Sequence, residues 1–398
     1  MLVKNHLNKY YRHIAAILPL LIITVLFFAL FLYNNQTISL KETSRKLDKK
    51  NFDLAKQLER INSELKNLKS QDQYQINQAL EKKIKDIENT YQLAATDYER
   101  LLDLKAISNK TDKFDDLFAK SLKLLSKHNY ASAQAVLTDL SLQIDSEKSR
   151  IAAEFKPTEN IPTNNNPPNS GYSRQSVQSD SGNFLVDIIS ADLATTRVII
   201  DTASSSDCQD NCLALPLSDY VLRNGAYAAI NGSYFCPSTY PTCTGKTNSF
   251  DLLVMNKNKT YFNSDNNVYS TNPAVIFGNG WIRFVGRALE WGRDTSIDGV
   301  LSNFPLLLQG NQIVYNGSND PKFNSKGPRN FVANKGNTVY IGIIYNAAMD
   351  DSARVLKTMG MENAMNLDEG ASTALWYGGA YKAGPGRNIP NAILFIRK

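Results

Sequence analysis

From Ile14 to Tyr33 the chain runs twenty residues, IAAILPLLIITVLFFALFLY, without a charged side chain. A helix of that length matches the hydrocarbon thickness of a bilayer, and it would be apolar on every face. The run is longer than the core of a signal peptide, and Asn34, Asn35 and Gln36 follow it rather than a small-residue cleavage site. Lys4, Lys9 and Arg12 precede it with no acidic residue among them. By the positive-inside rule, residues 1–13 are expected in the cytoplasm and everything after the span outside. The expectation is a single-pass signal anchor in the cell membrane, residues 14–33.

Beyond the anchor the chain changes character twice. Leu40, Leu47, Leu54, Ile61 and Leu68 recur every seven residues, and Leu58 and Leu65 fill the second seam. After an irregularity near Asp72 the pattern resumes at Leu80, Ile84, Ile87, Tyr91, Ala94, Tyr98 and Leu101. Such spacing, with charges between the seams, predicts a coiled-coil stalk over 34–107 that makes a homo-oligomer. A helical hairpin folding back near Ser70 to Gln73 is the alternative, although no Gly or Pro marks a turn there. Residues 108–155 read as a further helical hairpin with a break at Lys127 to Tyr130, His128 being a surface turn residue. Residues 156–182, rich in Asn, Pro and Ser and poor in apolar side chains, read as a flexible linker.

From residue 183 to 398 the sequence fills with Gly, aromatics and β-branched residues. Runs at 184–189, 196–200, 226–230, 274–277, 281–285, 338–345 and 393–396 carry the alternation or β-branching of strands. Asp350 and Asp351 open a helix over Ser352 to Met359 that Gly360 ends, and a shorter helix covers Leu217 to Arg223. The fold class expected is an α+β domain on a mainly antiparallel sheet, preceded by the transmembrane helix and the α-helical stalk.

Several function classes fall away on composition. The net charge of +6 comes from mixed rather than clustered charges, so no nucleic-acid partner is expected. The three histidines, His6, His13 and His128, all precede the C-terminal domain. A Ser-His-Asp triad or a His-ligated zinc cannot be assembled there from local residues. Acid–base work therefore falls to Asp, Glu, Tyr, Lys or Cys. The four cysteines, Cys208, Cys212, Cys236 and Cys243, sit together in the domain expected outside the cell. Their spacings do not match zinc knuckles, and disulfides are expected. Of the three pairings possible, the two local ones, Cys208–Cys212 and Cys236–Cys243, are preferred.

Five segments of this domain, in order, resemble the phosphodiester glycosidase family. They are Ala229-Ile230-Asn231-Gly232-Ser233-Tyr234-Phe235, Ser302 to Gly310 (SNFPLLLQG), Pro328-Arg329-Asn330-Phe331-Val332-Ala333, Asn366-Leu367-Asp368-Glu369-Gly370-Ala371-Ser372, and Arg387-Asn388-Ile389-Pro390-Asn391-Ala392-Ile393. The anchor, stalk and linker lie outside the resemblance. It implies a hydrolase that cleaves a sugar–phosphodiester linkage, and so a phosphorylated or envelope glycan as partner. The chain departs from the family pattern in two places: Glu369 and Ala371 stand where glycines are usual, and Asn346-Ala347 where Asp-Gly is frequent.

The chemistry of such a cleavage needs a carboxyl group for the sugar and donors for the phosphate. Asp368 is the expected catalytic carboxyl, with Glu369 as second candidate. In an extended chain these two neighbours would point to opposite faces, so one pocket is not expected to hold both. Arg329 and Arg387 offer planar, permanently charged forks for phosphate. Asn231, Asn391 and Ser372 are expected to bind the sugar or the phosphate. Each also has a structural reading: an Arg pairing with Asp368 across strands, an Asn in a turn or cap, a Ser satisfying its own turn. No cofactor and no metal ligand set is expected. A divalent cation on Asp368, Glu369 and asparagine oxygens stays open, without EF-hand-like spacing behind it. The two rival readings are a phosphoglycan-binding module without turnover and an oligomeric envelope scaffold.

Overall fold

The computed structural model describes residues 3–154, 161–263, 270–292 and 294–398. Residues 156–160 of the expected linker lie outside the described residues. The chain divides into two compact units, residues 1–85 and 86–398.

The first unit is helical. Helix α1 (Val3–Lys69) ends at a turn over Ser70 and Gln71, and α2 (Asp72–Lys105) begins after it. The apolar part of α1 is long and hydrophobic enough to cross a membrane by length and composition. Its side chains from Leu20 to Tyr33 are exposed, as are the seam residues Leu40, Leu47, Leu54, Leu58, Ile61, Leu65 and Leu68.

The second unit opens with the last turns of α2, followed by α3 (Asp112–Leu125) and α4 (Tyr130–Glu154). The break between α3 and α4 contains His128, exposed and at φ 55°. Here the stalk expectation is corrected. Ala94 and Leu101, placed by their period in a seam between chains, are buried with Leu104 against Phe114, Leu125, Leu137 and Ile144. Tyr98 stacks on Phe118 at 5.2 Å. The 3.5-residue period marks an apolar stripe, and it does not say whether the stripe is covered by another chain or by the next helices of its own. In this stretch its own helices cover it.

The rest of the unit is built on three antiparallel sheets. The largest contains β1 (Gly171–Ser179), β2 (Gly182–Asp192), β10 (Leu306–Gln309), β11 (Gln312–Ile313), β12 (Gly327–Lys335), β13 (Thr338–Ala347) and β14 (Asn363–Asn366), in the order β1-β2-β13-β12-β14-β10-β11. A second holds β3 (Thr196–Thr202), β4 (Ala228–Asn231), β15 (Leu375–Tyr377), β16 (Ala380–Ala383) and β17 (Asn391–Arg397), ordered β16-β15-β4-β17-β3. The third holds β5 (Val254–Met255), β6 (Tyr261–Phe262), β7 (Ala274–Gly278), β8 (Trp281–Val285) and β9 (Gly299–Ser302).

Strand β1 is a second correction. Residues 171–179 pair along their whole length with β2, and Thr163 bridges to Ser176. Their polar composition suits an outer strand, which needs backbone partners on one side and few buried side chains. The ordered domain therefore takes in much of the expected linker.

The large sheet is buried on both faces, which accounts for the almost unbroken apolar reading of β2 and β13. On one face Ile189, Val332, Ile341 and Met365 meet Ile200, Ile230 and Ile393 of the second sheet and Val275 and Leu301 of the third. On the other, Val186, Phe331 and Ile344 meet Met349, Val355 and Leu356. Those last three lie on the amphipathic helix α6 (Met349–Thr358). The short helix α5 (Leu217–Asn224) ends at Gly225 in the left-handed region, φ 59°, as a C-terminal glycine allows.

Candidate active site

The Asp368 loop links two sheets. Strand β14 pairs within the large sheet and β15 within the second, and residues 367–374 carry the chain from one to the other. The backbone groups of this crossing have left their ladders; the Leu367 and Asp368 N–H groups donate to the Asn330 and Gly232 carbonyls, and other groups need side-chain partners.

Buried asparagines supply them. The Asn231 and Asn330 side-chain amides each donate to the Asp368 carbonyl at 2.6 Å, and Asn330 also donates to Asn231 Oδ1 at 3.0 Å. Asn231 Oδ1 accepts from the Ala374 N–H at 3.1 Å. The Asn303 amide donates to the Asn366 carbonyl at 2.8 Å, while its Oδ1 accepts from the Tyr234 N–H at 2.9 Å. Asn391 Oδ1 accepts from the Ser233 N–H at 2.9 Å. A Cβ on Gly232 would lie 1.8 Å from that same Oδ1, so only glycine lets the β4 turn approach β17 this closely. Asn231 and Asn391 were expected to bind substrate. The structure instead buries both, at 0% and 1% exposure, and engages their side chains in the frame. An asparagine has no charge to repel it from an interior once its amide is paired, so residue type alone did not reveal this role.

Above the frame lies a pocket of about 380 Å³ lined by Asp368, Glu369, Arg329, Ser372, Arg387 and Asp251, among others. The expectation that Asp368 and Glu369 would face apart is overturned. The crossing is not part of a strand, so the two-residue alternation does not govern it. Glu369 itself is in ordinary extended backbone, φ −138°, and shows no strain at the family's glycine position.

The two carboxyls differ in their partners. Glu369 pairs with Arg329, which also donates to the Ala347 carbonyl at 2.9 Å and to the Lys322 carbonyl at 2.8 Å. Arg329 is therefore held by Glu369 rather than by Asp368, and it is largely used by the protein itself. Asp368 accepts from the Glu369 N–H at 2.9 Å and from the Ser372 hydroxyl. Burial pushes its carboxyl up to about 7, against the lowering effects of Ser372 and Arg387. Burial raises Glu369 too, and the Arg329 charge works against it. Tyr234, buried beside both carboxyls, is shifted well upward by burial and by their charges.

Arg387 lines the same pocket, and its charge acts on Asp368. Its guanidinium lies 5.2 Å from the Tyr240 ring centre and 3.7 Å from an Asp103 carboxylate oxygen. Its Nη1 is buried and donates to no group among the described residues. The disulfides Cys208–Cys212 and Cys236–Cys243 are both present. The second closes the loop that carries Tyr240 and Thr242 to the pocket.

Sequence reasoning missed Asp251, a pocket carboxyl raised by burial. It also missed the contribution of the helices. Glu99 of α2 accepts from the Thr242 N–H at 3.1 Å, Asp103 accepts from the Tyr240 hydroxyl, and Lys148 of α4 lines the pocket. Among the described residues no group of His, Cys, Asp and Glu could hold a metal ion.

A family model described as NAGPA, phosphodiester glycosidase, matches residues 224–396, which include every segment of the crossing and its frame. This segment is a phosphodiester glycosidase domain. The family is one of hydrolases. None of the curated proteins is similar to the chain in sequence. Among solved structures, the zebrafish N-acetylglucosamine-1-phosphodiester alpha-N-acetylglucosaminidase catalytic domain, auto-inhibited by its pro-peptide, is similar at 15% identity and a TM-score of 0.47. That likeness covers 60% of this chain and 87% of the zebrafish one. A hypothetical protein from Synechocystis is similar at 14% identity and a TM-score of 0.42, over 57% of this chain and 62% of its own. The phosphodiester glycosidase assignment rests on the family match.

Proposed function

We propose that this chain is a membrane-anchored, extracytoplasmic glycosidase that cleaves a sugar–phosphodiester linkage in an envelope glycan. The observation that carries the reading is the pairing of opposites inside the phosphodiester glycosidase domain. Asp368, whose buried carboxyl is pushed up to about 7, shares a small pocket with a buried Arg387 N–H that has no acceptor among the described residues.

Asp368 is the general acid. As the bond from the anomeric carbon to the bridging oxygen breaks, its electrons go to that oxygen and the Asp368 proton follows them. Water adds to the anomeric carbon, and the proton it sheds restores Asp368. Arg387 binds the phosphate through its open N–H groups, and the Ser372 hydroxyl orients the Asp368 carboxyl. Glu369 and Arg329 form an ion pair that fixes the pocket floor. The apolar part of α1 is the anchor, the two disulfides accord with an oxidising compartment, and the exposed leucines of α1 between residues 40 and 68 are the oligomer seam. Full-length protein assayed on the methyl phosphodiester of a hexose 1-phosphate tests this, with Asp368→Asn as control. Equal turnover by the two proteins removes Asp368 from the mechanism.

One observation favours a second reading, a phosphoglycan-binding module without turnover. Glu369 occupies the family's glycine position and neutralises Arg329, which takes one cation away from phosphate. Glycan binding that survives Asp368→Asn, with no product formed by either protein, supports it.

A further inference from the structure

The helices that precede the phosphodiester glycosidase domain share its pocket. A grip between the two is visible: Thr242 donates to Glu99 through both its N–H and its hydroxyl, and the Tyr240 hydroxyl donates to Asp103. The Cys236–Cys243 disulfide braces the gripping loop. Near this contact α4 presents Lys148 to the pocket.

Among the lysines that line the pocket, Lys322 and Lys326 are exposed and Lys148 is half-buried. Glu99, Asp103, Arg329 and Glu369 are all engaged by protein partners. Lys148 makes no ion pair and donates no hydrogen bond among the described residues, although burial lowers the pKa of its ammonium group. Asp103 and Asp145 act on it only through space, and a half-buried cation that no carboxylate contacts directly keeps its donors available for a ligand.

Its position is also particular. A second pocket, of about 700 Å³, adjoins the first, and Lys148, Arg387 and Lys326 line both. The carboxyls Asp368 and Glu369 line only the first. In a sugar–phosphodiester the phosphate lies between the sugar and the alcohol it is esterified to. A substrate with its sugar beside Asp368 and its alcohol in the second pocket would set its phosphate at the cationic junction.

We propose that Lys148 is a substrate-binding residue, gripping the scissile phosphate from the helical side while Arg387 grips it from the sheet side. The second pocket, walled by Ala106, Ile107 and Ile151 of the helical segments, then receives the alcohol portion. The site is composite, and residues before the phosphodiester glycosidase domain choose what that portion can be. This rests on the phosphodiester reading above.

The test compares full-length wild type, Lys148→Gln and Lys148→Arg, with thermal melts to establish equal folding. Binding of inorganic phosphate is titrated, and kinetics are run on the methyl phosphodiester of a hexose 1-phosphate. Lys148→Gln should weaken phosphate binding and raise KM by roughly tenfold or more, with kcat within about twofold, as for a lost hydrogen bond to a charged group. Lys148→Arg should recover most of both. Phosphate affinity unchanged in Lys148→Gln, or no phosphate binding by wild type, overturns the proposal. If wild type binds phosphate through Lys148 but turns over no phosphodiester, the catalytic reading fails and the binding assignment stands.

Discussion

Arg329 and Glu369 form a buried ion pair at the floor of the pocket, with side-chain exposures of 4% and 15%. The residue that breaks the family's glycine pattern thus comes with a counter-charge. Removing one member of a buried pair leaves the other stranded, at a cost of about 3–5 kcal/mol. Glu369→Gln should lower stability by roughly that amount in urea unfolding of the full chain. A change of under about 0.5 kcal/mol would show the pair to be solvent-screened and dispensable.

The pH dependence of turnover should report Asp368. With its pKa near 7, the carboxyl holds its proton below neutrality and loses it above. As general acid it makes kcat/KM fall on the alkaline side, about tenfold per pH unit once past the inflection. Asp368→Asn should lose roughly 10²–10⁴-fold below pH 7, with the gap to wild type narrowing as pH rises above it. A rate that rises through pH 7 would assign Asp368 as a base instead.

The same shift acts on stability. The folded state holds the Asp368 proton more tightly than the unfolded chain, so its contribution is complete below the ordinary carboxyl pKa of 3.8 and is lost as pH rises through about 7. On the order of 4 kcal/mol should disappear over that window. Asp368→Asn removes the titration, so its melting temperature should exceed that of wild type at pH 8 and match it near pH 4. A wild-type advantage at pH 8 would contradict this.

Asn330 should matter more than its distance from any substrate suggests. Its amide serves the Asp368 carbonyl, Asn231 and Thr373 together. Asn330→Ala strands buried acceptors, each worth about 1–3 kcal/mol. The expected outcome is a destabilised protein whose remaining folded fraction shows reduced kcat. Unchanged urea unfolding would mean that water replaces the amide.

The sequence made some of this legible and hid the rest for physical reasons. The strand runs at 184–189, 338–345 and 393–396 and the helix ending at Gly360 follow from local pattern, and they appear as β2, β13, β17 and α6. The preferred disulfides follow from short spacing, and the Asp368 segment from its motif. The frame could not be read, because Asn231 in a motif looks the same whether its amide meets a ligand or the Asp368 carbonyl. Strand β1 was hidden by a polar composition that an outer strand tolerates. Glu99, Asp103 and Lys148 were hidden most completely. Between apolar seam positions, a charge facing a pocket and a charge facing water have the same spelling.

Asp368 belongs to neither sheet it joins. Its carbonyl is clamped by Asn231 at the end of β4 and by Asn330 of β12, one from each sheet. The carboxyl is therefore located the way a surveyor fixes a point, by bearings from two separate baselines. Insertions and replacements in the surrounding loops can restyle the rim without moving that point. A shear of one sheet against the other would displace it at once, even with every rim residue intact.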